Sequence, residues 1–232
     1  MSREDRSALG LLPYDSALEY DAVVDTVPAL DSGLPYADIF ARAGRLIHLS
    51  STSVLPENFS APDASGLPVL DETCKPSPQS ERGARRLALE EEIQSRFKGA
   101  VVIRCGGIYG PNRGIVSHFL EGDFRRAETK NRMVSRIHVY DLCQLIVACA
   151  RAEEPPPLIH GVDERPSLNR EVFTFLENEL GVSVPGSWRT EDASGRAVKS
   201  LYAASLIAYR FPTYREGFLD SIEKLRASGK LK

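Results

Sequence analysis

Two apolar runs in this chain end in residues that can do chemistry. Arg45-Leu-Ile-His-Leu49 is closed by the hydroxyl cluster Ser50-Ser51-Thr52, and Val101-Val-Ile-Arg-Cys105 is closed by Gly106-Gly107-Ile108. A hydroxyl at a strand end can orient a substrate hydroxyl or polarise a carbonyl. A glycine there lets a ligand or another backbone approach. For Ser51 a plainer role also stands, a strand-end serine satisfied by backbone groups. Arg113 and Arg136 are of the type that receives a phosphate or another anionic substrate group, with surface ion pairing as the plain alternative. His48, His118, His138 and His160 show no partner in the sequence, and His138, in Arg136-Ile-His-Val139, reads as a residue that fixes a loop. Cys74, Cys105, Cys143 and Cys149 form no Cys-x-x-Cys pair and no metal-ligand spacing with histidine, so no metal site is expected. Cys143 and Cys149 read as small core residues.

These residues must be positioned by strands whose carboxyl ends open on one side of a sheet. Tyr20 to Val27 reads as a short strand stopped by Pro28, and a helix over residues 35–43 closes at Gly44. Arg45 to Ser50 is the next strand. Residues 55–80, rich in proline and without periodicity, read as a loop. Ser80 caps a helix running to about Phe97, with Ala84, Leu87, Ala88 and Phe97 on its apolar face. Within that helix, Glu90-Glu-Glu92 reads as a solvated face. Val101 to Arg104 is a strand. Gly106 to Gly110 reads as a turn rather than a phosphate cradle, because its spacing is wrong and Pro111 interrupts it. Val139 to Ala150 is a helix with Asp141 near its positive end. After Pro155-Pro-Pro157 come a short strand at residues 158–160, a helix over 169–180 capped by Ser167 and ended by Gly181, and an amphipathic helix within 217–230. Trp188, Tyr202, Tyr209 and Tyr214 belong to this last region, as pocket lining or as core. Strand–helix alternation from residue 20 to about 150 argues for an α/β fold, a doubly wound parallel sheet with a small C-terminal cap.

At 232 residues and 42% hydrophobic content the chain is one large domain, read as residues 1–155 with an interleaved cap at 156–232. A net charge of −3 argues against nucleic-acid binding. No apolar stretch is long enough for a membrane helix, and residues 1–6 lack a signal-peptide core. With the cysteine usage, a cytoplasmic setting is expected.

The segments Arg45–Val54, Val101–Arg113 and Arg136–Leu142, in that order and at those separations, resemble the nucleotide-sugar epimerase/dehydratase branch of the short-chain dehydrogenase/reductase superfamily. Asp71-Glu72 before Pro76 resembles the acidic-then-proline loop of that family. Ser80-Glu-Arg-Gly83 and Phe211-Pro-Thr-Tyr-Arg-Glu-Gly-Phe218 resemble an atypical subgroup usually described only as NAD(P)-binding. The resemblance implies a Rossmann-like sheet, NAD or NADP as cofactor, and hydride chemistry on a sugar-like or hydroxyl-bearing small molecule. It puts the catalytic Ser or Thr of the family on Ser51, with Thr52 as the neighbouring alternative. Aligned on Leu87-Ala88 and Glu90, the tyrosine and lysine of the family's Tyr-x-x-x-Lys pair fall on Arg82 and Arg86. A guanidinium stays protonated, so Arg82 cannot be the general acid/base, whereas Arg86 can support a ribose or an oxyanion. By the same resemblance the cofactor would meet Thr26, Val27, Pro28, Ser50, Ser51, Arg86, Cys105, Gly106, Gly107 and Ile108, and the substrate Thr52, Arg113 and Arg136.

The glycine fingerprint G-x-G-x-x-G that cradles a dinucleotide phosphate is absent. By the resemblance the strand near residues 21–27 is the fourth of the sheet. Two β-α units, about 60 residues in all, would be missing ahead of it, as would the acidic residue that selects NAD over NADP. The sheet would then be incomplete, and its exposed edge would invite a homo-oligomer. Two functional expectations follow: a nicotinamide-dependent epimerase or oxidoreductase working without the usual tyrosine, or a non-catalytic homologue that binds a small molecule or a partner.

Overall fold

The computed structural model describes residues 19–27, 37–57, 69–111, 114–116, 119, 131–183 and 194–229. Its main sheet has four parallel strands, β1 (Val23–Asp25), β2 (Leu46–Ser51), β3 (Val101–Cys105) and β7 (Leu158–Gly161), in that spatial order. The register sets Asp25 beside His48, Ser51 beside Cys105, and Arg104 between Ser50 and His160. The α/β reading and the incomplete parallel sheet therefore hold. β1 spans three residues rather than the eight expected, and Tyr20 instead makes an isolated bridge to Ala43. The helix expected over 35–43 is described as one turn, α1 (Ala37–Phe40).

One face of the sheet is covered by α2 (Glu81–Arg96). Ser80, in extended backbone, accepts the Gly83 N–H and starts the helix as expected. Its buried face is Gly83, Leu89, Glu90 and Ile93, with Leu89 and Ile93 packing on Phe40, Leu46 and Ala100. The expected face was wrong in part: Ala84 and Ala88 are exposed, and Glu90 is buried rather than solvated. The other face is covered by α3 (Val139–Arg151), whose Leu142, Leu145 and Cys149 meet Ile47, Val101, Ile103 and Ile159. Cys149 is core as expected, but Cys143 is exposed. His138 caps α3 by accepting the Tyr140 N–H at Nδ1, the structural role read for it.

Gly106–Gly110 is not a turn. β4 (Gly107–Tyr109) pairs in parallel with β6 (Arg136–His138). A Cβ on Gly106 would stand 2.4 Å from the Ser135 carbonyl oxygen, so two backbones cross there and only glycine fits. β5 (Arg132–Val134) joins β8 (Ser167–Leu168) and β9 (Ser194–Gly195) in a small sheet. Ser167 therefore lies in a strand and does not cap α4 (Asn169–Leu180), which ends at left-handed Gly181 as read. After the one-turn α5 (Ala203–Leu206), α6 (Tyr214–Ala227) begins with a capping box between Thr213 and Glu216.

α4 and α6 build a second core from Val172, Phe173, Leu176, Tyr214, Phe218 and Ile222, with Tyr109 and Phe119 packed among them. One buried carboxylate fastens this cap to the sheet domain. Asp141, in the first turn of α3, accepts the N–H groups of Arg210 and Phe211 at 2.9 and 3.0 Å. Asp163, just past β7, is buried, and one of its oxygens has no hydrogen-bond partner. No helix among the described residues is long and apolar enough to cross a membrane.

Burial pushes the Asp163 carboxyl up to about 8, against the pull of Arg136. A folded pKa above the ordinary 3.8 means that the folded chain holds a proton the unfolded chain releases. That contribution to stability is fully present below 3.8 and is lost as pH rises through about 8. Asp163→Asn should flatten this part of the profile, as measured by urea unfolding across that pH window. An unchanged slope would assign it to other groups.

Candidate functional site

The carboxyl ends of β1, β2 and β3 open on a cleft of about 590 Å³. Its walls include Thr26, Ser50, Ser51, Cys105, Gly106 and Ile108 from the strand ends, and Arg82 and Arg86 from the first turns of α2. Leu142, Cys143 and Ile146 of α3 form the apolar side. Ser51, Arg86 and Cys105 are thus brought together, as the sequence reading required.

Strand alternation divides the two serines between opposite sides. The Ser50 hydroxyl turns toward α2 and donates to Glu90. Glu90 is also gripped by Arg104, through Nε at 3.0 Å and Nη2 at 2.7 Å, with both side chains at most 4% exposed. The Ser51 hydroxyl accepts the Ser53 N–H at 3.2 Å and starts the 3-10 turn Thr52–Val54. That bond uses a lone pair and leaves the hydroxyl proton to donate elsewhere. So the backbone role weighed for Ser51 is present, and a donor function is compatible with it.

Arg82 and Arg86 are four residues apart and share a helix face. Burial, then the neighbouring Arg82 charge, pushes the Arg86 pKa down. A guanidinium nonetheless remains protonated at any working pH. Burial pushes the Cys105 thiol up to about 12, only partly offset by Arg86. It is a neutral thiol, with its sulfur 3.6 Å from the Ile103 carbonyl oxygen, and not a nucleophile. These groups can orient, hydrogen-bond and neutralise negative charge, but neither Arg86 nor Cys105 can exchange a proton near neutrality.

Several site residues read from the sequence lie elsewhere. The Arg136 guanidinium is buried and donates to Val134 O, Ser167 Oγ and Asn169 Oδ1 at 3.1, 2.7 and 3.0 Å. It braces the small sheet and the start of α4, and has no face left for a substrate. Val27, Thr52 and Gly107 are not among the cleft walls. Val27 closes a local turn onto Asp25, Thr52 belongs to the 3-10 turn, and Gly107 pairs with Arg136. Pro28, Arg113, His118 and Trp188 lie outside the described residues. Tyr214 is core, and Tyr209 donates its hydroxyl to the Val162 carbonyl. His48 does have a partner, since its Nδ1 is 2.7 Å from Asp25 Oδ2 in the interior.

The sequence reading missed this buried polar row. A signal was available. A parallel sheet covered on both faces should read as continuous apolar runs. Asp25, His48, Ser50, Arg104 and His160 interrupt those runs at alternate positions, which marks a polar layer under one face.

No family model matches the sequence, and no curated protein matches it. Solved structures do resemble the fold. A candidate NAD-dependent epimerase/dehydratase from Methylobacillus flagellatus superposes with a TM-score of 0.71 at 20% identity, over 89% of this chain and 77% of its own. A conserved protein of unknown function from Silicibacter pomeroyi gives 0.70 at 22%, over 98% and 88%. UDP-glucuronic acid 4-epimerase from Bacillus cereus, solved with UDP-glucuronic acid and NAD, gives 0.60 at 17%, over 82% and 66%. The chain therefore has the Rossmann-like fold of the epimerase/dehydratase structures.

Two measurements test the site. Glu90→Ala would strand Arg104 in the interior and should cost about 3–5 kcal/mol in urea unfolding, whereas a loss under about 1 kcal/mol would mean that the pair is solvated. Iodoacetamide should alkylate exposed Cys143 well before buried Cys105 and Cys149, the latter pushed up to about 11. Mass mapping that found Cys105 modified first would contradict the burial of its thiol.

Proposed function

We propose that this chain is a nicotinamide-nucleotide-binding protein of the epimerase/dehydratase type, acting on a sugar-like or other hydroxyl-bearing small molecule. The observation that carries the reading is the cleft itself. Ser51 and Cys105 stand in register at the ends of neighbouring parallel strands, where α/β sheets bind their ligands. The solved neighbour from Bacillus cereus holds NAD and a nucleotide sugar.

The residues present suit the reactive half of a dinucleotide. Ser51 and Arg86 can donate to a ribose or to a reacting oxygen, and Ile108 and Leu142 offer an apolar wall to a ring. They do not supply a cradle for the diphosphate half. The sequence has no G-x-G-x-x-G, and the bareness of Gly106 is taken up by Ser135. When bound, NAD or NADP would supply hydride acceptance and donation. Ser51 would orient the reacting hydroxyl, and Arg86 would stabilise negative charge on it.

A second reading, binding without turnover, is favoured by one observation. Arg82 and Arg86 stand where the family's proton-exchanging tyrosine and its lysine are expected, and burial holds the Cys105 thiol protonated. One experiment ranks the two readings. NADH and NADPH are titrated by fluorescence and calorimetry, and nucleotide-sugar turnover is then followed by chromatography. Saturable binding at or below millimolar cofactor is expected, weakened about tenfold by Arg86→Ala through loss of a charged hydrogen bond. Absence of binding at millimolar cofactor would remove the nicotinamide reading. Binding without product would establish the second.

A further inference from the structure

Arg82, Arg86 and Glu90 form a stripe along α2 at successive four-residue steps. Glu90 is the natural partner for Arg86, but its carboxylate is turned inward to Arg104 and Ser50. Arg82 and Arg86 make no hydrogen bond or ion pair with any described residue. Other arginines of the same helix are paired, Arg85 with Glu81 and Arg96 with Glu92. Among the described residues the cleft walls carry hydroxyls, thiols and aliphatic groups, with no carboxylate. Two arginines with no ion pair to a described residue thus share one wall of a cleft in a chain whose net charge is −3, and Glu90 and Cys105 act on Arg86 only through space. Like charges four residues apart on a helix destabilise it.

We propose that Arg82 and Arg86 form a binding site for the dianionic phosphoryl group of a small-molecule ligand. Guanidiniums present planar forks that match phosphate oxygens. Two of them spanning one helical turn can engage a dianion with three acceptor oxygens at once, whereas a lone carboxylate fills one fork. Ser51 and Thr26 at the strand ends add hydroxyl donors to the same cleft. This inference goes beyond the nicotinamide reading and does not require it.

The test is calorimetric titration of the full chain with inorganic phosphate at pH 8. One site is expected, weakened by added chloride. Arg82→Gln and Arg86→Gln should each weaken phosphate at least about tenfold, the loss of a charge-assisted hydrogen bond. Arg85→Gln, one position outside the stripe, should leave it unchanged, and the double lysine variant should keep part of the affinity. Circular dichroism checks that each variant folds. Repeating the titration at saturating NADH distinguishes the sources. Displacement identifies the dinucleotide itself as the occupant of the arginine pair, and undisturbed binding identifies a substrate phosphoryl group. No binding at tens of millimolar phosphate, equal losses in Arg85→Gln, or acetate bound as well as phosphate would each overturn the proposal.

Discussion

The buried Glu90–Arg104 pair is the constraint on which the site depends. Both side chains lie under the sheet face with at most 4% exposure, and desolvating two charges is costly. The pair is tolerable because its geometry is nearly complete. Arg104 grips the carboxylate through Nε and Nη2, and Ser50 donates to its other oxygen. Such a pair adds less to net stability than to definition of position. It joins the middle of α2 to β2 and β3 at one rotation of the helix. Arg86 and Arg82, one and two turns upstream, are therefore carried past the sheet's edge onto the cleft wall.

The same pair explains why the two sheet faces differ. On the α3 side Ile47, Ile103 and Ile159 make a dry layer. On the α2 side Asp25 with His48, and Ser50 with Glu90 and Arg104, make a polar layer, continued by His160, whose Nδ1 lies 3.0 Å from the Lys199 carbonyl oxygen. Adjacent residues of one strand consequently do different work. Ser50 holds the helix, while Ser51 caps a turn and keeps a proton free at the cleft.

The parallel sheet and its covering helices were legible in the sequence, because apolar runs, caps and strand-end residues are local signals; the gathering of Ser51, Arg86 and Cys105 was an implication of the family resemblance. Ser80 as a cap and Gly181 as a stop are read from two or three residues each. What was not legible is set by tertiary partners. Glu90 looks solvated beside Glu91 and Glu92 until Arg104 is set beneath it. Arg136 looks like an anion receptor until Ser167 and Asn169 fold back onto it. Gly106 looks like part of a turn until a second backbone crosses at Ser135. In each case the deciding neighbour is at least 14 residues away along the chain.

The arginine pair changes what the cleft can be asked to do. A tyrosine and a lysine at these positions would give a proton to exchange and a charge to steer it. Two arginines give charge alone, and geometry cannot restore the missing proton because a guanidinium does not release one at working pH. Of the described cleft residues, neither arginine can supply a proton near neutrality, and Ser51 is placed to hold an oxygen. Recognition survives this exchange better than catalysis does, since binding needs only that the charges be fixed and unpaired. Glu90 anchors the helix that carries the arginines, and because its carboxylate bonds to Arg104 and Ser50 it leaves Arg86 only a through-space attraction.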